Sequence, residues 1–546
     1  VSAPRGGRRG SALAIAVFLS GAVLLGLEIA ASRVLAPAFG NSLYVWGALI
    51  GVVLTGLAIG YWAGGVLADR RPTPYLLIGV LVMGALLVLA VPLADEHVIR
   101  HVVAWDLGPR LDPLLAATIL FGPASVVLAS ATPIAVRLAA RSLDRLGTTA
   151  GRLFAVSTVG SIVGTFATAF WLVPELGTDQ VIASGTVGLL AAAAVVAFAE
   201  RLVPLAAGLT LGAAAAVLAV ASLAPDSGGR IDAASVQNYS PVYRIAQNRK
   251  PRALDPAAVA GLADGFDLRE ARDTRYHRLL VIDDEESRYL RFDNTFQSGM
   301  YLDDPFRTRF RYTDYLHLGL AYTPAARRTL FIGLGGGSVQ KRIWRDFPGV
   351  RLQVVEIDPD VVDAAYRWFE LPRDPRLRVD VEDGRRFLRR DESRWDVIVV
   401  DAFYADAIPF HLATVEFVEL LRSRLAPGGT VAVNIIGALA GDTSRLLRSI
   451  TKTYRSVFPT VALHPVFLDS TDRVAGELRN VILIATDGAA PSRIYLQRRW
   501  DRIRESAPGA PDLTQAIRDR YERPVRADDV PLLTDAYAPT DALLLP

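Results

Sequence analysis

The chain has 546 residues, 51% of them hydrophobic and 21% charged, with a net charge of +3. That is too apolar for an ordinary soluble protein of this length, and disordered and collagen-like classes are excluded by the same composition. The absence of cysteine removes thiol nucleophiles, thiolate zinc sites and iron–sulfur clusters, and a nearly balanced charge gives no argument for nucleic acid.

The apolar residues concentrate before residue 225. A hydrocarbon core of roughly 30 Å needs about 20 apolar residues per helix. Seven runs meet that need, over 11–36, 45–68, 75–94, 114–136, 153–173, 181–199 and 202–224. Arg5, Arg8 and Arg9 precede the first run as they would a signal peptide, but its length and the six runs behind it favour a retained helix. Gly51, Gly56, Gly60, Gly64 and Gly65 let helix backbones approach closely, which indicates a packed bundle. Glu28 and Arg33 are expected to form an ion pair near a membrane boundary rather than a polar pathway. His97 and His101 share a helix face but lack a third ligand, so no metal is expected there. Arg5, Arg8, Arg9, Arg70, Arg71, Arg137, Arg141, Arg145, Arg152 and Arg201 fall on one side of such a bundle, against Arg33, Arg100 and Arg110 on the other. The first side is then cytoplasmic.

Residues 225–270 are polar and proline-containing, and read as a linker or insertion. The organisation expected is a transmembrane helical domain over 1–224, this linker, a small β-rich substrate segment over 271–320 and an α/β domain over 321–546. Paired strands are expected at 274–283 and 287–294. Strands at 329–332, 352–357, 377–381, 397–400 and 430–435 then alternate with helices at 339–346, 361–368, 384–388 and 414–425. Continuous apolar strands such as Val397-Ile398-Val399-Val400 belong to a parallel sheet covered on both faces, a doubly wound nucleotide-binding architecture.

Ligands of such sheets lie at the carboxyl ends of the strands. Gly333-Leu334-Gly335-Gly336-Gly337-Ser338 runs from strand into helix, as a turn approached closely by a ligand must. The next strand ends in Glu356-Ile357-Asp358, where an acid can accept both hydroxyls of a ribose. At the third strand end, Asp383 of Glu382-Asp383-Gly384 can accept from an adenine amine or merely cap the following helix. The fourth ends at Asp401, before a loop over 402–412; Pro427-Gly428-Gly429 is expected to be a turn.

On these motifs residues 275–436 resemble the spermidine synthase family of polyamine aminopropyltransferases, and the whole chain resembles its membrane-fused bacterial branch. The resemblance rests on the glycine turn, on Val355-Glu356-Ile357-Asp358-Pro359 and on Val399-Val400-Asp401-Ala402-Phe403. Phe296-Gln297-Ser298-Gly299-Met300 is similar to a substrate-contacting segment of the family, and Leu533-Thr534-Asp535-Ala536-Tyr537-Ala538-Pro539 to the tail of the fused branch. It implies a class I S-adenosylmethionine-type fold that moves an aminopropyl group from decarboxylated S-adenosylmethionine to an amine such as putrescine, releasing methylthioadenosine without a metal. Gly333, Gly335, Gly337, Ser338, Glu356, Asp358, Asp383 and Gly384 would surround the nucleoside, with Glu356 on the ribose and Asp383 on the adenine. Asp401 would line the donor–acceptor junction, and Gln297 and Tyr312 the acceptor side. Asp314 and His317 follow Tyr312 on one helix, His317 being expected to pack in the core.

The sequence departs from the family where the chemistry occurs. Ser338 stands for an aspartate of the glycine loop, and Tyr404 for a second aspartate three residues after Asp401. An unperturbed phenol, with a pKa of about 10, is a poor base, which leaves Asp406 or His411 of the same loop as candidate bases, His411 being more simply a helix-start residue. Methyl or aminocarboxypropyl transfer from S-adenosylmethionine, and a nucleoside-binding membrane protein or transporter without turnover, remain as alternatives, because fold does not fix activity. The expected associations are a lipid bilayer, a small amine acceptor and a homodimeric partner, without nucleic acid. The expected location is multi-pass in the inner membrane. A soluble metabolite as substrate asks for a cytoplasmic catalytic domain, whereas seven spans after a cytoplasmic N-terminus place it on the other side.

Overall fold

The computed structural model describes residues 5–39, 43–105, 107–108, 110–140, 146–176, 178–222, 266–293, 295–323, 325–403, 408–467 and 476–544. Among these, one compact unit holds residues 5–222 and 271–278, and the other holds 266–270 and 279–544.

The first unit is helical. Its helices are α1 (Arg5–Phe39), α2 (Leu43–Arg70), α3 (Pro74–Trp105), α4 (Leu111–Ala139), α5 (Leu146–Ala167), α6 (Thr178–Ala199) and α7 (Val203–Ser222). Among the described residues six helices are long and apolar enough to cross a membrane, and the seventh expected run is the 20-residue α7. Small residues bring the helices into contact: of the five glycines expected to do so on α2, Gly56, Gly60 and Gly64 face α4, whereas Gly51 and Gly65 meet nothing within 4 Å. A Cβ on Gly160 or Gly164 of α5 would lie 2.1 Å from the Phe18 or Ala22 carbonyl of α1, and one on Gly60 of α2 would lie 2.3 Å from the Val126 carbonyl of α4. Hydroxyls add interhelical hydrogen bonds, from Ser20 to the Leu128 carbonyl at 3.0 Å and from Thr186 to that of Ala85 at 3.2 Å. The expected Glu28–Arg33 ion pair does not form; the Arg33 guanidinium donates instead to the Arg275 carbonyl at 2.7 Å. His101 Nδ1 lies 2.8 Å from the His97 carbonyl, and among the described residues no cluster of three or more His, Cys, Asp or Glu is placed to hold a metal.

A four-stranded sheet follows in the order β1 (Asp267–Asp273), β2 (Arg278–Asp283), β3 (Ser287–Phe292) and β4 (Thr295–Tyr301). The single strand expected over 274–283 is broken at its start, because the Thr274 amide donates to the His277 carbonyl at 2.9 Å and closes a turn. Two one-turn helices follow, α8 (Arg311–Tyr315) and α9 (Leu318–Tyr322).

The main sheet contains β5 (Arg328–Ile332), β6 (Arg351–Glu356), β7 (Leu377–Val381), β8 (Trp395–Val400), β9 (Leu425–Gly437), β10 (Thr460–Pro465) and β11 (Arg479–Thr486), in the order β10-β11-β9-β8-β5-β6-β7. β5 to β9 pair in parallel, while β11 runs antiparallel to both β9 and β10. Helices α10 (Ser338–Asp346), α11 (Pro359–Trp368), α12 (Gly384–Arg390), α13 (Val415–Ser423) and α14 (Arg445–Val457) cross between strands. Phe331, Val354, Val399, Ala432 and Ile482 fill one core face. The strand order reverses at β5, with β6 on one side and β8 on the other, and a crevice opens at the carboxyl ends of strands at such a switch point. Pro427-Gly428-Gly429 is a bulge inside β9 rather than a turn before it: Trp395 pairs with Leu425 but Val397 with Thr430, and Gly428 takes a φ of 76°.

Candidate active site

The glycine turn sits at this switch point. Gly333 has a φ of 102°, and a Cβ there would lie 2.2 Å from the Asp401 carbonyl oxygen, so the turn after β5 and the end of β8 meet at a distance only glycine permits. Gly335 and Gly337 also take positive φ, at 55° and 69°. The Gly336 amide donates to Ser298 Oγ at 2.8 Å and Ser338 Oγ donates to the Gly299 carbonyl at 3.3 Å, which ties the turn to β4. Ser338, expected on the donor, thus spends its hydroxyl on backbone.

Glu356 ends β6 with its carboxylate turned onto the same loop. Oε2 accepts from the Leu334 amide at 2.9 Å and Oε1 from the Asp358 amide at 3.1 Å. Burial raises its pKa, and the backbone donors oppose that rise. Two expected nucleoside contacts have other work. Asp358 is fully buried and its Oδ1 accepts from the Asp360 amide at 2.9 Å, capping α11, whose first residue is Pro359. Gly384 is required by packing, since a Cβ there would lie 2.4 Å from Ile332 Cγ2. Asp383 Oδ1 caps α12 by accepting from the Arg386 amide at 2.8 Å, while its Oδ2 lies 3.1 Å from His411 Nε2. The His411 contact is the main cause holding the Asp383 carboxyl below its usual range.

Asp401 lies across the turn from these acids. Burial pushes its carboxyl up to about 6, against a lowering hydrogen bond from Asn434 Nδ2 to Oδ1 at 2.9 Å. The Tyr312 hydroxyl donates to the Gln297 carbonyl at 3.3 Å, and its pKa is raised by burial and then by the charge of Asp401. Gln297 Nε2 donates to Thr295 Oγ1 at 2.7 Å. Asp314 points away, accepting from Thr308 Oγ1 at 2.7 Å and Arg342 Nη1 at 2.8 Å. His317 is fully buried, and burial lowers its pKa to about 3. Tyr404 and Asp406 lie outside the described residues.

The tail braces the loop that carries His411. Arg385 donates to Asp535 through both nitrogens, at 2.7 and 2.6 Å, and also to the His411 carbonyl at 3.0 Å. Thr414 Oγ1 donates to Asp535 Oδ1 at 2.7 Å. Sequence reasoning named neither Ser298 nor Asn434 as site residues. Ser298 carries no local signal, but Asn434 interrupts the apolar run of β9, where a buried amide must find partners.

A glycine turn after the first parallel strand, an acid at the end of the second and a carboxylate at the end of the fourth are the arrangement of a class I, doubly wound nucleotide-type fold. The family model described as Spermine/spermidine synthase domain matches residues 309–468. The polyamine aminopropyltransferase of Vibrio vulnificus is 33% identical over 191 residues, 34% of this chain and 62% of that protein. Polyamine aminopropyltransferase 2 of Pseudomonas aeruginosa is 35% identical over 155 residues, 26% of this chain and 44% of that protein. The N-terminal histidine N-methyltransferase of Emericella nidulans is 30% identical over 224 residues, 37% of this chain and 39% of that protein. This chain thus spans less than two thirds of each. A solved probable spermidine synthase from Corynebacterium glutamicum superposes with a TM-score of 0.38 at 23% identity, covering 44% of this chain and 94% of that one.

Proposed function

We propose that the α/β unit is an aminopropyltransferase that uses decarboxylated S-adenosylmethionine and a small amine such as putrescine. The observation that carries this reading is the close approach of Asp401, at the end of β8, to the glycine turn that also holds Glu356. Glu356 binds the ribose. Asp401 takes the proton as the amine nitrogen attacks the carbon next to the sulfonium; the C–S electron pair returns to sulfur, and neutral methylthioadenosine leaves. A carboxyl near 6 is ionised at neutral pH and is a stronger base than an ordinary aspartate. Asp383 and its partner His411 sit at the adenine end. The similarity to the histidine N-methyltransferase keeps methyl transfer from S-adenosylmethionine as a second reading. Calorimetric titration with decarboxylated S-adenosylmethionine, S-adenosylmethionine and methylthioadenosine tests the choice: aminopropyl transfer predicts preference for the decarboxylated donor, and preference for S-adenosylmethionine sinks it.

The helical unit is proposed to cross a bilayer with its arginine-rich loops in the cytoplasm. Residues 271–278, which are part of that unit, touch its arginine-poor end: Arg275 accepts from Arg33 near the close of α1, and Asp273 Oδ2 accepts from the Thr178 amide and hydroxyl at the start of α6, at 2.9 and 2.7 Å. This favours an extracytoplasmic position for residues 271–278, against the cytoplasmic one a soluble metabolite asks for. The cysteine-free chain makes the test direct. In spheroplasts an impermeant maleimide is expected to label Arg275→Cys and spare Arg70→Cys, and the reverse pattern refutes the orientation.

A further inference from the structure

The strand β9 is the interior of the main sheet, between β8 and β11. From Val431 to Ile435 its residues are buried and apolar except for Asn434, which is 3% exposed. An amide in such a place costs free energy unless both its ends are bonded. Both are. Asn434 Nδ2 donates to Asp401 Oδ1 at 2.9 Å, and Asn434 Oδ1 accepts from Asn480 Nδ2 of β11 at 2.9 Å. An asparagine amide can ordinarily be turned over, exchanging its oxygen for its nitrogen. The ionised Asp401 carboxylate removes that freedom, because it only accepts, so the Asn434 NH2 group must face it and the Asn434 oxygen is left to accept from Asn480. The NH2 group of Asn434 therefore faces Asp401 as a fixed donor.

From this geometry we infer that Asn434 and Asn480 form a directional amide relay that positions the Asp401 carboxylate and sets the pH at which it becomes a base. One consequence is steric: the bond holds Oδ1 against β9, leaving Oδ2 as the oxygen for the acceptor amine. The other is electrostatic: a hydrogen bond to an ionised carboxylate favours the charged form, so the relay opposes the burial that raises the Asp401 pKa. Neither asparagine touches the reacting atoms, and both are positioning residues. The assignment of Asp401 as the proton acceptor rests on the proposed aminopropyl transfer, but the relay itself does not.

The test uses the full-length protein with Asn434→Ala, Asn434→Gln and Asn480→Leu, and two readouts. The first is the acid limb of kcat/KM against pH. The second is the pH dependence of putrescine affinity measured by calorimetry in the presence of methylthioadenosine, which needs no turnover. Loss of one charge-assisted hydrogen bond is expected to move the apparent pKa upward by about one to two pH units in Asn434→Ala. Asn480→Leu is expected to give a smaller upward shift, and Asn434→Gln, which retains a donor, to restore part of it. Acid limbs unmoved in both Asn434→Ala and Asn480→Leu, with only thermal stability reduced, would overturn the relay and leave packing as their role. A wild type without aminopropyl turnover, whose putrescine affinity nevertheless titrates and shifts with Asn434→Ala, would overturn the transferase reading and keep the relay.

Discussion

Asp401→Asn is expected to lower turnover by ~10²–10⁴-fold, the usual contribution of a positioned general base, while leaving methylthioadenosine affinity within a few-fold of wild type. The reasoning is geometric. Asp401 closes β8, its carbonyl is packed against the Gly333 turn and its carboxylate is held by Asn434, so the side chain changes charge on substitution without losing its place. The wild-type pH profile carries the same information. With a carboxyl at about 6, the base is ionised above that pH and protonated below it, so activity falls as the pH drops through about 6. Steady-state kinetics from acid to neutral pH checks both, and an Asp401→Asn enzyme with near wild-type turnover would remove Asp401 from the chemistry.

Glu356→Ala is expected to weaken nucleoside binding strongly rather than slow the chemical step. Hydrogen bonds from two ribose hydroxyls to one ionised carboxylate are each worth ~1.5–3 kcal/mol, so their joint loss corresponds to a ~10²–10⁴-fold weaker Kd. The same carboxylate also accepts from the Leu334 and Asp358 amides, and its removal loosens the glycine turn as well. Glu356→Gln separates the two effects, since it preserves the shape but presents an NH2 group to one set of donors. Calorimetry with methylthioadenosine, read beside the thermal unfolding midpoint, checks the prediction. Unaltered affinity in Glu356→Ala would place the nucleoside elsewhere in the crevice.

The sequence exposes the parts of this protein whose signals are periodic or local. Long apolar runs marked the helices, Gly56, Gly60 and Gly64 marked a helix contact while Gly51 and Gly65 did not, and a glycine turn followed by Glu356 and Asp401 marked the ends of β5, β6 and β8. Pairings between distant segments were beyond its reach. Asp358 and Asp383 looked alike as acids after strands, yet Asp358 is a buried cap of α11, while Asp383 both caps α12 and meets His411. Gly384 looked like part of a ligand loop and is instead the gap that Ile332 fills. Asn434 could be noticed as an amide in an apolar strand, but its partners, 33 residues before it and 46 after it, exist only once the sheet is assembled. The proline and glycines at 427–429 followed the rule for a turn, whereas pairing with β8 on either side of them makes a bulge.

The most direct test of the account is to incubate the purified full-length protein in a bilayer mimetic with decarboxylated S-adenosylmethionine and putrescine and to identify the products by mass spectrometry. The account predicts an aminopropylated amine and methylthioadenosine in equal amounts, both absent with Asp401→Asn. A methylated product with S-adenosylhomocysteine when S-adenosylmethionine is supplied, and no turnover of the decarboxylated donor, would contradict it.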